Sequence, residues 1–389
     1  MYDEWWVYTS VPTDVSHMAP RPTFDFFPRG TPLIVSDEME AAMWAALDAG
    51  ADAGTAYDAI ENEQVRQLEE DPSYRSRLRQ AYDDAGVNLV SATMGSLDAS
   101  LSFPEGVRQD LLRWQARFDA VDWLEKVKTP AEARNAVERG HVGVVLNVQN
   151  GGAAIDGDLA ETERLHQAGI RIVQLTYNTQ NLVGIGCTER VDAGLSNHGV
   201  EFVERLQDRN VVIDLSHCGR QTTLDAIEVA EGPVAITHAF SGALADHDRA
   251  KSDAEMEALA DVNGYFGVLA VPFFLAPGEP TPEFDVFFDH VDYAISKVGI
   301  DRVGIGTDWG SWTPELPEPL HDGIKEAFAG MGFREEHGVS IGQGFGPMDT
   351  YDDWPAIPEG LRERGYSEEE IDGLLGQNFL DFWEKVVER

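Results

Sequence analysis

Short runs rich in Val and Ile alternate with amphipathic stretches along nearly the whole chain, the signature of parallel strands joined by crossover helices. Eight such runs stand out: Pro32–Asp37, Val87–Met94, Val142–Asn150, Ile170–Asn178, Val211–His217, Val234–Ala239, Tyr265–Val271 and Val303–Trp309. Eight is the number that closes a barrel. The stretches between them, such as 157–169, 199–210 and 222–232, carry helical periodicity, and several end in Gly. A (β/α)8 TIM barrel is therefore expected, as one domain over residues 32–389 with a closing C-terminal helix. Residues 1–31, rich in Pro and aromatics without periodicity, are expected to pack as an irregular arm. The segment 313–358 reads as loop. Within it Ile341–Pro347 has the glycines of a phosphate loop but no preceding strand, so that reading is set aside.

Composition narrows the function. The 43% of hydrophobic residues suffices for one large core at 389 residues. Asp and Glu number 69 against 29 Lys and Arg, a formal net charge of -40, and the acids are scattered rather than gathered in a tail. Nucleic acid, which demands a basic face, is excluded as a partner. Dispersed acidity of this size suits a protein of a salt-loving organism, where salt screens the self-repulsion. Two cysteines, Cys187 and Cys218, give no disulfide framework and fit a reducing compartment. The N-terminus Met1–Trp6 lacks the features of a signal peptide, and no apolar run approaches a membrane span, so a cytoplasmic protein without membrane attachment is expected.

Polar residues cluster where barrel enzymes place their chemistry, at the carboxyl ends of the strands. The fifth run ends in Asp214-Leu215-Ser216-His217, the sixth contains Thr237-His238, and the eighth ends in Gly306-Thr307-Asp308. Two imidazoles on adjacent strands with a nearby acid can serve a zinc-like ion. The other eight histidines fall mostly on helices or loops and read as surface residues.

These motifs resemble the membrane (renal) dipeptidase family of the amidohydrolase superfamily, from about Val142 to the C-terminus. The resemblance rests on Val212–His217, Ile236-Thr237-His238, His247-Asp248-Arg249, Val303–Asp308, and the closing Arg364–Ile371 with Gln377–Leu380. It implies His217 and His238 as ligands of the second metal position, Arg249 as the grip on a substrate carboxylate, and Asp308 in proton transfer beside the metal. The family's His-x-Asp pair on the first strand has no counterpart in Ile34–Met39. Its bridging Glu is replaced by Gln149-Asn150, and a further His by Tyr177. Two divalent ions without a bridging anion would repel strongly in a low-dielectric pocket, so one divalent ion, zinc by ligand type, is expected.

The favoured activity is metal-assisted hydrolysis of a small amide or dipeptide-like substrate bearing a carboxylate. Tyr177, Gln149 and Asn150 would bind substrate or stabilise developing negative charge. A lyase or isomerase using Asp308 and Tyr177, or a non-catalytic ligand-binding barrel, are the competing readings, and related dipeptidases suggest a homodimer.

Overall fold

A parallel sheet filled from inside and covered by helices outside needs strands that are apolar on both faces, and the Val/Ile runs supply them. The computed structural model describes residues 21–95, 102–279, 281–310 and 313–389. Its strands are β1 (Phe24–Phe26), β2 (Leu89–Thr93), β3 (Leu124–Lys126), β4 (Val142–Val148), β5 (Ile170–Gln174), β6 (Val212–Asp214), β7 (Ala235–Ala239), β8 (Tyr265–Val268) and β9 (Val303–Ile305). All pair in parallel, in the order β1-β2-β4-β5-β6-β7-β8-β9, with β3 set beside β4. The circle is completed by the Asp308 amide, which donates to the Phe26 carbonyl at 2.9 Å. The Asp25 carboxylate reinforces that seam by accepting from Thr307 N and Oγ1 at 2.8 and 2.7 Å. The eight strands on this path make the expected (β/α)8 TIM barrel.

The first strand is not where the sequence pattern put it. Pro32–Asp37 leads into a helix, α1 (Asp37–Asp48), because Ser36 caps it by accepting from Met39 N at 3.2 Å and three acids follow in the first turn. Cap and dipole favour helix there over the β preference of Ile34-Val35. The true first strand, Phe24–Phe26, lies inside the expected arm, so 24–26 belong to the barrel. The arm's residues 1–20 lie outside the described residues. Strand β3 was also unanticipated, because Leu124-Glu125-Lys126 is not a Val/Ile run. The segment 313–358 is less loop-like than expected, since it includes the helix His321–Gly330.

Between β1 and β2 the chain makes a helical excursion, α1, α2 (Ala53–Glu70) and α3 (Pro72–Ala85), and α4 (Phe103–Ala120) follows β2. The amino end of the barrel is sealed by an apolar layer in which Leu89, Val145, Ile172, Val212 and Tyr265 pack with Phe379 and Trp383 of the C-terminal helix Asn378–Val387. Phe24 stacks on Phe379 with ring centroids 3.7 Å apart. Among the described residues no helix is long and apolar enough to cross a membrane.

Candidate active site

Two residues beyond that apolar layer the same strands turn polar: Ser91, Asn147, Gln174 and Asp214 are all buried. Buried polar groups persist only when hydrogen-bonded. Asn147 accordingly donates to Ser91 at 2.9 Å and accepts from Thr93 at 3.0 Å, while Gln149 Nε2 donates to Thr93 at 3.0 Å.

Asp214 organises the next level. Its Oδ1 accepts from Ser216 N and Oγ at 3.1 and 2.6 Å, and from Thr237 N at 3.0 Å. Its Oδ2 accepts the Thr237 hydroxyl at 2.8 Å. With that proton committed to Asp214, Thr237 Oγ1 accepts from His238 Nδ1 at 2.8 Å. His217 is oriented in the same manner. Its Nδ1 donates to Asn178 Oδ1 at 2.7 Å, and Asn178 is itself fixed because its Nδ2 donates to the Met331 carbonyl at 3.1 Å.

Both imidazoles therefore carry their proton on Nδ1, and their bare Nε2 atoms face each other 3.0 Å apart. Burial, helped by Arg249, holds both groups well below the usual histidine range, so neither carries a second proton. Two opposed lone pairs in a buried site favour a cation between them. A tetrahedral ion with zinc–nitrogen distances of roughly 2.0–2.1 Å would sit between nitrogens only slightly farther apart, and outer hydrogen bonds of this kind are what metal-ligating histidines use. The donor pair fits one such ion. Among the described residues no group of three or more His, Cys, Asp or Glu side chains is placed to hold a metal. The corrected first strand, Phe24-Asp25-Phe26, has no histidine either. Tyr177 stacks on His217 and Phe26 on His238, each with ring centroids 4.0 Å apart.

Asp308 stands just past β9 with φ 59°, a left-handed conformation that a non-glycine residue adopts at a cost. Burial raises its carboxyl to about 7, with Arg249 opposing and Asp25 and Asp214 reinforcing the rise. It lines a cavity of about 380 Å³ together with Tyr177, Gln149 and Asn150, so the structure brings four of the expected site residues to one wall. Burial also raises the Tyr177 hydroxyl, which stays protonated. Asn150 is held by Asn181, which donates to its Oδ1 at 2.8 Å.

His217, His238 and Arg249 do not form part of that wall. Tyr177 covers the His217 ring, and Arg249 is placed differently from the expected carboxylate grip. Its guanidinium is fully buried and donates to the carbonyls of Ser216 and His238, the latter at 2.6 Å. Two histidines read as surface residues are also buried: His290 accepts from Ser241 N at 3.1 Å, and His337 packs against His247.

The rest of the wall was missed by the sequence reading. It includes a charged lattice of Arg29 with Asp58 and Glu61 of α2 and Asp110, Arg113 and Arg117 of α4. A signal existed: Asp58 and Glu61 are three apart on α2, and Asp110, Arg113 and Arg117 recur at helical spacing on the face of α4 that buries Trp114.

The model of the membrane dipeptidase family (peptidase family M19) matches residues 107–326. An uncharacterised dipeptidase of Schizosaccharomyces pombe is 28% identical over 255 residues, covering 64% of this chain and 54% of its own length. The chain thus spans little more than half of that relative. The crystal structure of an amidohydrolase from Pseudomonas aeruginosa superposes with a TM-score of 0.69 at 28% identity, covering 81% of this chain and 93% of the other. A structure described as dipeptidase AC, a metallopeptidase of family M19, reaches the same TM-score at 16% identity over 94% of this chain and 99% of its own, which shows the shared fold.

Proposed function

The chain belongs to the membrane dipeptidase family, and from that premise we propose that it is a metal-assisted hydrolase of a small amide or dipeptide-like substrate bearing a carboxylate. The observation that carries this reading is the pair of bare Nε2 atoms of His217 and His238, 3.0 Å apart beneath the Tyr177 ring that lines the cavity. His217 and His238 would hold one divalent ion, zinc by donor type. When bound, such an ion supplies Lewis-acid chemistry: it polarises a carbonyl and acidifies water.

The residues of the chain do the remainder. Asp308, with a carboxyl near 7, takes a proton from the attacking water and returns it to the departing amine nitrogen, so the same group serves as base and then acid. The protonated Tyr177 and the amides of Gln149 and Asn150 hold the substrate in the cavity. Arg249 acts as a positioning residue: by binding the carbonyls of Ser216 and His238 it ties the two histidine-bearing segments together.

The test is elemental analysis of the dialysed full chain alongside a dipeptide hydrolysis assay. One zinc-type ion per chain together with turnover supports the proposal. Two ions per chain would overturn the single-ion assignment, and a metal-loaded chain inert toward all dipeptides and small amides would overturn the hydrolase.

A further inference from the structure

Arg29 follows β1 by three residues, so it stands at the carboxyl end of the barrel, and its side chain, only 5% exposed, forms part of the cavity wall. Its Nε donates to the Thr31 carbonyl at 3.3 Å. Its Nη2 faces Glu61 Oε1 at 3.0 Å as an ion pair out of hydrogen-bond alignment, and Nη1 has no hydrogen-bond partner at all. A guanidinium N–H buried without an acceptor is costly, and natural sites of this kind are completed by something.

The neighbouring side chains do not complete it. Glu61 is shared between Arg29 and Arg117, and the buried Glu315 carboxyl also acts on Arg29, so two carboxyl groups stand near the two guanidinium groups without filling Nη1. Across the wall, Arg113 is bound at 2.8 and 2.9 Å by both Asp58 and Asp110. Arg29 Nη1 thus remains a donor without an acceptor on a side chain that lines the cavity. Arg249 cannot play the same part, because both its Nη atoms are spent on backbone carbonyls and it is not in the wall. The position is also telling. Just beyond the first strand, which carries no histidine, this chain has Phe27-Pro28-Arg29, a permanent cation that needs no metal.

We propose that Arg29 is the anion-binding residue of the cavity, receiving the carboxylate of a small amide substrate on Nη1. A charge-assisted contact of this type is among the stronger hydrogen bonds available to a buried site. The inference rests on the hydrolase reading only for the identity of the ligand.

The experiment is calorimetric titration of the full chain with N-acetylglycine and with its uncharged counterpart N-acetylglycinamide, which requires no turnover. The acid should bind about tenfold or more tightly than the amide. Arg29→Gln should abolish that preference while keeping the amide's affinity. Arg29→Lys, which retains a cation beside Glu61, should reduce the preference and serves as the working variant if Arg29→Gln does not fold by circular dichroism. Equal affinities in the unmodified chain, or a preference that survives both variants, overturns the assignment. The two readings fail separately: acid preference without hydrolysis of any dipeptide removes the hydrolase and leaves Arg29, whereas hydrolysis without acid preference removes Arg29 and leaves the hydrolase.

Discussion

At the amino end of the barrel Leu89, Val145, Ile172, Val212 and Tyr265 form a dry layer sealed by Phe379 and Trp383, whereas two residues further along the same strands stand Ser91, Asn147, Gln174 and Asp214. Strand periodicity puts both sets on one face. The change of residue type, not of backbone, separates a sealed end from a chemical one. The apolar end gains stability from burial. The polar end is held by hydrogen bonds whose geometry fixes two imidazole tautomers and a carboxyl near 7. Mutations should therefore divide by level along the strand, losing stability at one end and chemistry at the other.

The largest effect is expected at His238. His238→Ala removes one of two facing nitrogens, and a two-ligand site has no redundancy, so metal content and turnover should fall together. A Lewis-acid contribution of several kcal/mol corresponds to a rate loss on the order of a thousandfold or more. Full metal occupancy in this variant would falsify the ligand assignment and leave the histidine pair as a purely structural contact.

Asp308→Asn should keep the metal and lose turnover by roughly 10²- to 10⁴-fold, because the amide matches the shape but cannot exchange a proton. The unmodified enzyme should also show a pH signature. With its carboxyl raised to about 7, Asp308 is a base only when ionised, so kcat/KM should climb as pH rises toward 7 and level off above it. A rate profile flat from pH 5 to 8, or one unchanged in the variant, would remove Asp308 from the chemistry.

The opposite end supplies the contrast. Phe379 is fully buried and stacks on Phe24, so Phe379→Ala should cost about 3–5 kcal/mol of stability through lost contact and the cavity left behind. Denaturant unfolding would report this. Per folded molecule, turnover should stay unchanged, and a fall in kcat at full folding would show that the two ends are coupled.

Much of this division was legible before any coordinates. Seven of the nine strands are visible as Val/Ile runs because each is buried on both faces, and the strand-end motifs around His217, His238 and Asp308 stand out because polar residues interrupt those runs. Strands β1 and β3 were not, since Phe24-Asp25-Phe26 and Leu124-Glu125-Lys126 are not Val/Ile runs and Ser36 with its acidic followers starts a helix directly after Ile34-Val35, the pair that suggested a strand. The role of Arg249 depends on where a long side chain turns, which sequence leaves open. The charged wall on α2 and α4 was hidden for a different reason: its acids are a few among 69, and only the fold distinguishes a buried carboxylate from a solvated one.

The smallest effect should come from salt, which touches neither end of the barrel. Even if every Lys and Arg were paired one to one, the 69 acids less 29 bases would leave 40 carboxylates without a basic partner. Raising ionic strength has two opposed consequences on such a surface. It weakens exposed pairs such as Arg66 with Glu70 or Arg205 with Glu201, which contribute little in water. It also screens repulsion among the excess acids, which acts over a Debye length of about 10 Å at 0.1 M and about 3 Å at 1 M. Because unpaired acids outnumber the pairs that could be lost, screening should win, and the melting temperature should rise between low and molar salt. The pH profile assigned to Asp308 should keep its shape, since desolvation at the cavity wall, rather than the surface acids, is the largest cause of its raised carboxyl. A melting temperature that stays flat or falls would show that local pairing governs this surface. An inflection that moves with salt would place Asp308 in contact with bulk solvent and blur the separation between the chemical end and the exterior.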